Sequence, residues 1–277
     1  MNTIVPPCGF NNTGALCYAN SLMQALLSCR YAIKELIETG NAEDMTPIRL
    51  YFIKNLQRLI DGQSVPEFTS QVLHELSQYS IAKHLGSGQQ SASEFFILLI
   101  DKLKLDYIFE HRYHVTTTCR SCGHILKNKD SGVQFNMFLD EPGINYATDL
   151  AREIMLYKID LSYYKCDKCG LRDTSSQVRE IRMLPDILVI LFNKYKDKKD
   201  YGFPSTLTFE GNVRPLHYNV VACIEHYGSL NGGHYICNAY REGYGINAFN
   251  DTSVSNGQLH STSNTYVVFY EKIYENR

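Results

Sequence analysis

Gly9-Phe10-Asn11-Asn12-Thr13-Gly14-Ala15-Leu16-Cys17-Tyr18-Ala19-Asn20-Ser21-Leu22-Met23-Gln24 is the stretch whose reading decides the fold. Its first half is polar and carries two glycines; its second half is helical. Leu22, Ala25, Leu26 and Cys29 follow at i, i+3, i+4 and i+7, which marks one apolar helix face. Cys17 then sits where a loop becomes a helix. Free amide N–H groups and the helix dipole favour an anion there, so they favour thiolate, the nucleophilic form, over thiol. Cysteine is also among the residues most often buried for packing alone. A catalytic reading therefore needs partners elsewhere in the chain. Asn12 lies close enough upstream to fold back beside the sulfur.

Working outward, Thr46-Pro47 reads as an N-cap followed by proline at the first helical position, opening a helix that ends near Gly62. Val72, Leu73 and Leu76 suggest another. Ser91, with Glu94 three residues on, fits a capping box ahead of Phe95, Leu98 and Leu99. The character changes near Tyr107. His111 to Thr118 is rich in β-branched and aromatic residues, and Val133, Phe135 and Phe138 suggest a second strand. Thr148 to Ile154 reads as a short helix, and the chain is strand-like again from Leu161. Met183 to Phe192 reads as one buried strand and Lys194 to Lys199 as a basic loop. Tyr218 to Ile224 is a central strand, Gly228 to Gly233 a turn, His234 to Tyr240 its partner, and Thr265 to Tyr270 a closing strand. Helices first and strands afterwards give an α+β class.

Cys119-Arg120-Ser121-Cys122 and Cys166-Asp167-Lys168-Cys169-Gly170 are matching knuckles. Two thiolates separated by two residues reach one ion, and four make a closed tetrahedral site, so the expectation is structural zinc. His124 would be a redundant fifth ligand. The base for Cys17 is best sought at His234, which follows Gly232-Gly233 and begins a strand. Phe249-Asn250-Asp251 offers a group to accept from its imidazole and hold the tautomer. His226, in the same hairpin, is the nearest rival, and its neighbours Tyr227 and Gly228 suggest packing.

The 277 residues and 44 % hydrophobic content allow a sizeable core. A net charge of −2 argues against a nucleic-acid surface as the main function. No apolar run is long enough to cross a bilayer, and the first residues lack the pattern of a secretion signal. Two Cys-x-x-Cys pairs among nine cysteines suit metal in a reducing compartment, which predicts a cytoplasmic or nuclear protein.

With both ends in view, the chain resembles the ubiquitin-specific proteases, a papain-like cysteine peptidase family. Asn12 to Gln24 resembles that family's cysteine box; Gly232-Gly233-His234-Tyr235, Phe249-Asn250-Asp251 and Val254 resemble its histidine box. Between them, in the family's order, lie Gln89-Gln90 with Glu94-Phe95, the two knuckles, and Leu184-Pro185 with Leu188. The resemblance implies a single catalytic domain over 1–277 in a thumb, palm and fingers arrangement. The helical thumb would span 1–106, mostly zinc-ribbon fingers with part of the palm 107–183, and the palm sheet 184–277. It implies hydrolysis of the (iso)peptide bond after the C-terminal glycine of ubiquitin or a ubiquitin-like modifier. Cys17 would be the nucleophile, His234 the base and Asn250 its orienter. Asp251 would be a substitute or helper, and Asn12 an oxyanion donor. Gln89, Glu94, Gly232, Gly233 and Tyr235 would bind the modifier's tail. The expected partner is the modifier and its conjugates, engaged by a monomer, with no nucleic acid and no membrane. Three places depart from the family's pattern: Ala15-Leu16 before the nucleophile, Ser91 where an aspartate is common, and Ile246-Asn247-Ala248 where an aromatic residue is usual. The departures at Ala15, Leu16 and Ser91 keep a second reading open, a weak or inactive ubiquitin-binding pseudo-protease.

Overall fold

A computed structural model of the chain describes residues 3–39, 45–79, 90–138, 145–193, 200, 202–211, 214–229 and 232–274. Gln89 and the basic loop at 194–199 lie outside them.

Six helices come first. The helix α1 (Cys17–Leu26) is buried over all ten residues, not on one face. It ends before Cys29, which instead precedes α2 (Arg30–Glu38), an element with no cap signal. The next, α3 (Pro47–Ile60), is capped by the Thr46 hydroxyl, which accepts from the Arg49 N–H, and Gly62 lies beyond its end in the left-handed region. The helices α4 (Phe68–Ser77), α5 (Ala92–Leu103) and α6 (Asp106–Phe109) complete the group. Their apolar sides and α1 form one core with one face of the large sheet.

That sheet has the order β11-β10-β9-β8-β12-β6-β3, with β7 also pairing β8. The strands are β3 (Phe135–Phe138), β6 (Ile187–Asn193), β7 (Thr206–Phe209), β8 (Leu216–Ser229), β9 (Gly232–Arg241), β10 (Gly245–Asn250), β11 (Ser253–Asn256) and β12 (Thr265–Lys272). Ile187, Val189 and Leu191 face the helical core, whereas Leu188, Ile190 and Phe192 face a second core beneath α7 (Tyr146–Met155). Both faces are covered, so the strand reads as an unbroken apolar run instead of an alternating one. It begins only at Ile187. The break before it includes Pro185, whose missing N–H cannot join a ladder, and the Asp186 N–H goes to the Ile108 carbonyl at 3.0 Å.

The second sheet is a four-stranded antiparallel ribbon, β2-β1-β5-β4. Its strands are β1 (His111–Cys119), β2 (Ile125–Gly132), β4 (Leu156–Leu161) and β5 (Ser175–Met183). Val133 falls outside any strand, and β2 is an element the sequence pattern does not announce. Nor does the chain continue as strand after Leu161: it turns through Tyr163, at φ 65, into the second knuckle. The expected turn at Gly228 to Gly233 is shorter as well, because Gly228 pairs with Gly233 and Ser229 with Gly232 in the β8–β9 ladder.

Candidate active site and zinc ribbon

The helix α1 packs on β9, β8 and β10. This brings the N-terminal end of α1 to the start of β9 and the end of β10. The His234 Nε2 meets the Asn250 Oδ1 at 2.6 Å. That contact assigns the ring proton on Nε2 and leaves Nδ1 as the basic nitrogen. The backbone N–H groups of Tyr235, the next residue, and of Cys17 and Tyr18 lie around the Cys17 sulfur. These favour the thiolate. Burial acts more strongly the other way, and the Asp251 carboxylate adds to it, so the Cys17 pKa lies above its ordinary value of 9.0. The terminal amides act in the direction expected from the helix end, but desolvation outweighs them.

The carboxylate of Asp251 clamps the cysteine loop. One oxygen accepts from the Asn20 amide at 2.7 Å and the other from the Asn12 amide at 2.9 Å. Its backbone carbonyl accepts from the Phe10 N–H at 2.9 Å. Asp251 adopts a positive φ of 51, the shape that turns β10 tightly into β11. Gly9 lies against this turn, where a Cβ would overlap the Thr252 backbone. Asn20 and Gly9 were not singled out in the sequence. Two amides, Asn20 and Gln24, on one mostly apolar helix are the available signal.

The Asn12 side-chain Oδ1 accepts from the Leu16 N–H at 3.1 Å and the Gly14 N–H at 3.2 Å, which closes the loop ahead of Cys17. Leu16 is buried in the helical core and serves this closure through its backbone. The departure at Ala15-Leu16 is thereby accommodated. Of the two Asn12 amide hydrogens, Asp251 takes one and the other is left for a ligand.

The expected tail-binding residues separate. Gly232 has open space where a side chain would be, whereas a side chain at Gly233 would overlap the His226 ring and the Tyr227 carbonyl. Gly233 is thus needed for packing within the hairpin. The Tyr235 ring is buried, its centroid 4.4 Å from that of His226 and 5.8 Å from that of Tyr266. The Tyr235 and His226 rings pack together, which gives His226 the packing role its neighbours suggested. Ser91 accepts from the Glu94 N–H at 3.4 Å and lies 3.1 Å from the Tyr266 hydroxyl. Glu94 is exposed on the first turn of α5.

The two knuckles meet at the far end of the ribbon. The Cys119 and Cys169 sulfurs are 3.8 Å apart, as are those of Cys122 and Cys166, and all four lie within 4.8 Å of one another. A disulfide would need about 2.0 Å. Zinc–sulfur bonds of about 2.3 Å in a tetrahedron place sulfurs about 3.8 Å apart, so the donor set fits zinc. Both knuckles are built alike. Gly123 N–H donates to the Cys119 carbonyl and Gly170 N–H to the Cys166 carbonyl, with both glycines left-handed. The N–H of Cys119 goes to the His124 carbonyl, so His124 helps close the first knuckle through its backbone.

A cysteine at a helix N-terminus, a histidine on the neighbouring strand and an asparagine in contact with that histidine match the order and residue types expected from the sequence. The chain belongs to the ubiquitin carboxyl-terminal hydrolase family, whose model matches residues 8–270. It is 23 % identical to Ubiquitin carboxyl-terminal hydrolase 19 of Arabidopsis thaliana, over 84 % of this chain and 41 % of the relative. It is 23 % identical to Ubiquitin carboxyl-terminal hydrolase 11 of Schizosaccharomyces pombe, over 95 % and 83 %. The fold is similar to that of Ubp8 in the SAGA DUB module bound to monoubiquitin, with TM-score 0.75 and 19 % identity, over 100 % of this chain and 71 % of Ubp8. The chain spans less than two thirds of the length of several relatives, for example 56 % of mouse Ubiquitin carboxyl-terminal hydrolase 17-like protein A.

Proposed function

We propose that this protein is a thiol-dependent deubiquitinase that cleaves the amide or isopeptide bond after the C-terminal glycine of ubiquitin or a ubiquitin-like modifier. The observation that carries the reading is the 2.6 Å contact between His234 and Asn250, beside a strand whose next N–H meets Cys17. The Cys17 proton passes to the His234 Nδ1, beforehand or as the sulfur attacks the carbonyl carbon. The oxyanion is received by the Cys17 N–H, which has no partner within the helix, and by the remaining Asn12 amide hydrogen. As the tetrahedral species collapses, the carbon–nitrogen bond breaks and His234 returns the proton to the leaving amine. A water, deprotonated by His234, then hydrolyses the thioester and restores the thiol. The family match over residues 8–270 and the presence of Cys17, His234 and Asn250 support the active reading over the pseudo-protease one.

Open space at Gly232 fits a modifier tail ending in glycine. The four-cysteine ribbon would hold zinc for structure, since four thiolates leave it no open position for chemistry. All nine cysteines are free, which supports a cytoplasmic or nuclear setting. The site is complete within one chain, which supports action as a monomer with the modifier and its conjugates as partners. The test is hydrolysis of a ubiquitin C-terminal fluorogenic amide. The wild type should release the fluorophore, whereas Cys17→Ala should bind ubiquitin without turnover. Turnover retained in Cys17→Ala would overturn the assignment. Sedimentation as a dimer, or a fluorescent fusion excluded from both cytoplasm and nucleus, would overturn the two subsidiary expectations.

A further inference from the structure

A buried cation lies behind the active site, with no part in the chemistry above. Arg241, the last residue of β9, is 2 % exposed. It makes no ion pair among the described residues, and its Nε has no hydrogen-bond partner. Its terminal nitrogens reach across to the end of α1. One donates to the Ser28 hydroxyl; the other donates to the Gln24 carbonyl at 3.0 Å and the Gln24 side-chain oxygen at 2.8 Å. The guanidinium also lies over the Phe249 ring, 4.9 Å from its centroid, and Phe249 is the residue before Asn250. Gln24 extends the network, since its amide donates to the Cys8 carbonyl at 2.7 Å. Cys8 leads directly into Gly9 and Phe10, which lie against the Asp251 turn.

Three elements therefore converge on one guanidinium, and each carries a member of the active site at its other end or beside it. The helix α1 carries Cys17, β9 carries His234, and β10 carries Asn250. Burying an arginine without a carboxylate is a costly way to fill a core, because an apolar side chain fills the same volume without desolvating a charge. What an apolar side chain lacks is direction. The α1–β9 contact near Cys17 fixes one point between helix and strand, and rotation about that point would swing the sulfur relative to His234. A second fastening, about 10 Å along the helix from Cys17 at Gln24, removes that freedom. The geometry points to Arg241 as a positioning residue for the Cys17–His234 pair, acting through Gln24, Ser28 and Phe249. The inference rests on the deubiquitinase reading for its readout.

The test compares steady-state turnover of the fluorogenic ubiquitin amide by the wild type, Arg241→Lys, Arg241→Met and Gln24→Met. Rates are expressed per active site titrated with a ubiquitin electrophile. Misplacing the reacting pair by an ångström lowers turnover by about 100-fold at most, so Arg241→Met and Gln24→Met should lose about 10- to 100-fold in kcat with KM within about twofold. Arg241→Lys, which keeps one directed bond, should recover part of that loss. Gln24→Met keeps the buried arginine and the core volume, so it remains informative if Arg241→Met fails to fold. A purely structural role would lower the melting temperature and the yield of titratable sites while leaving kcat per site unchanged. That result in the soluble variants, or a kcat for Arg241→Lys no better than for Arg241→Met, would overturn the inference. An inactive wild type would instead count against the deubiquitinase reading itself.

Discussion

The two ends of the molecule are held together by different physics. At the catalytic junction every residue of α1 is buried, and Asn20 and Gln24 on it are tied to Asp251, Cys8 and Arg241 by directed hydrogen bonds. At the ribbon, β2 is exposed along nearly its whole length, and Ile125, Leu156, Tyr163 and Leu171 stand out toward solvent. A four-stranded ribbon with so little apolar cover cannot be secured by burial, so four thiolates around one ion take that role. The cleft needs positions held to fractions of an ångström, which directed hydrogen bonds within a close-packed core supply. The ribbon needs only its tip closed.

The comparison can be broken most sharply at the nucleophile. Cys17→Ala should abolish turnover yet leave folding intact, since it removes one sulfur at the cleft and nothing from the clamp around Asp251. A calorimetric melt alongside the assay checks both halves. Next in size is the clamp itself. Asp251→Ala frees the Asn12 and Asn20 amides, and kcat should fall about 100-fold with KM little changed, as for loss of an oxyanion donor. Unchanged kcat would mean that the loop holds its shape without the carboxylate.

Smaller in its effect on chemistry, but larger in reach, is the metal. Chelation or Cys166→Ser should raise hydrogen exchange over residues 111–132 and 156–183 and leave α1, β8 and β9 protected. KM for ubiquitin should rise more than kcat falls. Uniform loss of protection would show that the ribbon and the cleft are one cooperative unit.

The finest distinction concerns two buried titratable groups with opposite signs. At the ribbon's base, His111 stacks on Phe135 with ring centroids 3.8 Å apart, and burial lowers its pKa to about 4. The folded state then binds fewer protons than the unfolded chain between about pH 4 and 6.5, so stability falls as pH falls through that window. Under the helices, Glu271 accepts the Tyr31 N–H at 2.7 Å, and burial raises its pKa to about 7. Here the folded state binds more protons between about pH 4.5 and 7, so stability falls as pH rises. Each effect is at most about 3 kcal/mol. Melts from pH 4 to 8 should lose their acid slope in His111→Phe and their alkaline slope in Glu271→Gln. Parallel shifts in both variants would contradict the signs given.

Much of this was legible along the chain, for reasons that differ by residue. The knuckles announce themselves because metal ligation depends on spacing within four residues. Thr46-Pro47 and Ser91 mark their helices because capping is local. The strand β2 is silent because Ile125 to Gly132 has solvent on both faces and so no alternation to read. The helix α2 was hidden because the chain breaks between Leu26 and Arg30 without glycine or proline, so Cys29 reads as a continuation of α1. His234 and Asn250 were found by type and order. Asn20 with Asp251 and Gln24 with Arg241 were not, because their partners lie 231 and 217 residues away and leave no local mark. The direction of the Cys17 shift was missed for a related reason: helix-end amides are visible in sequence, whereas burial is a property of the assembled core.

The central claim is that Cys17, made reactive by His234, is the group that meets a modifier's C-terminal carbonyl. The most direct measurement is intact-mass and peptide mapping after exposure to ubiquitin bearing a C-terminal electrophile. The account predicts a single ubiquitin adduct, mapped to Cys17, absent in Cys17→Ala and strongly slowed in His234→Ala. No adduct under these conditions, or one mapped to any of the other eight cysteines, would contradict it.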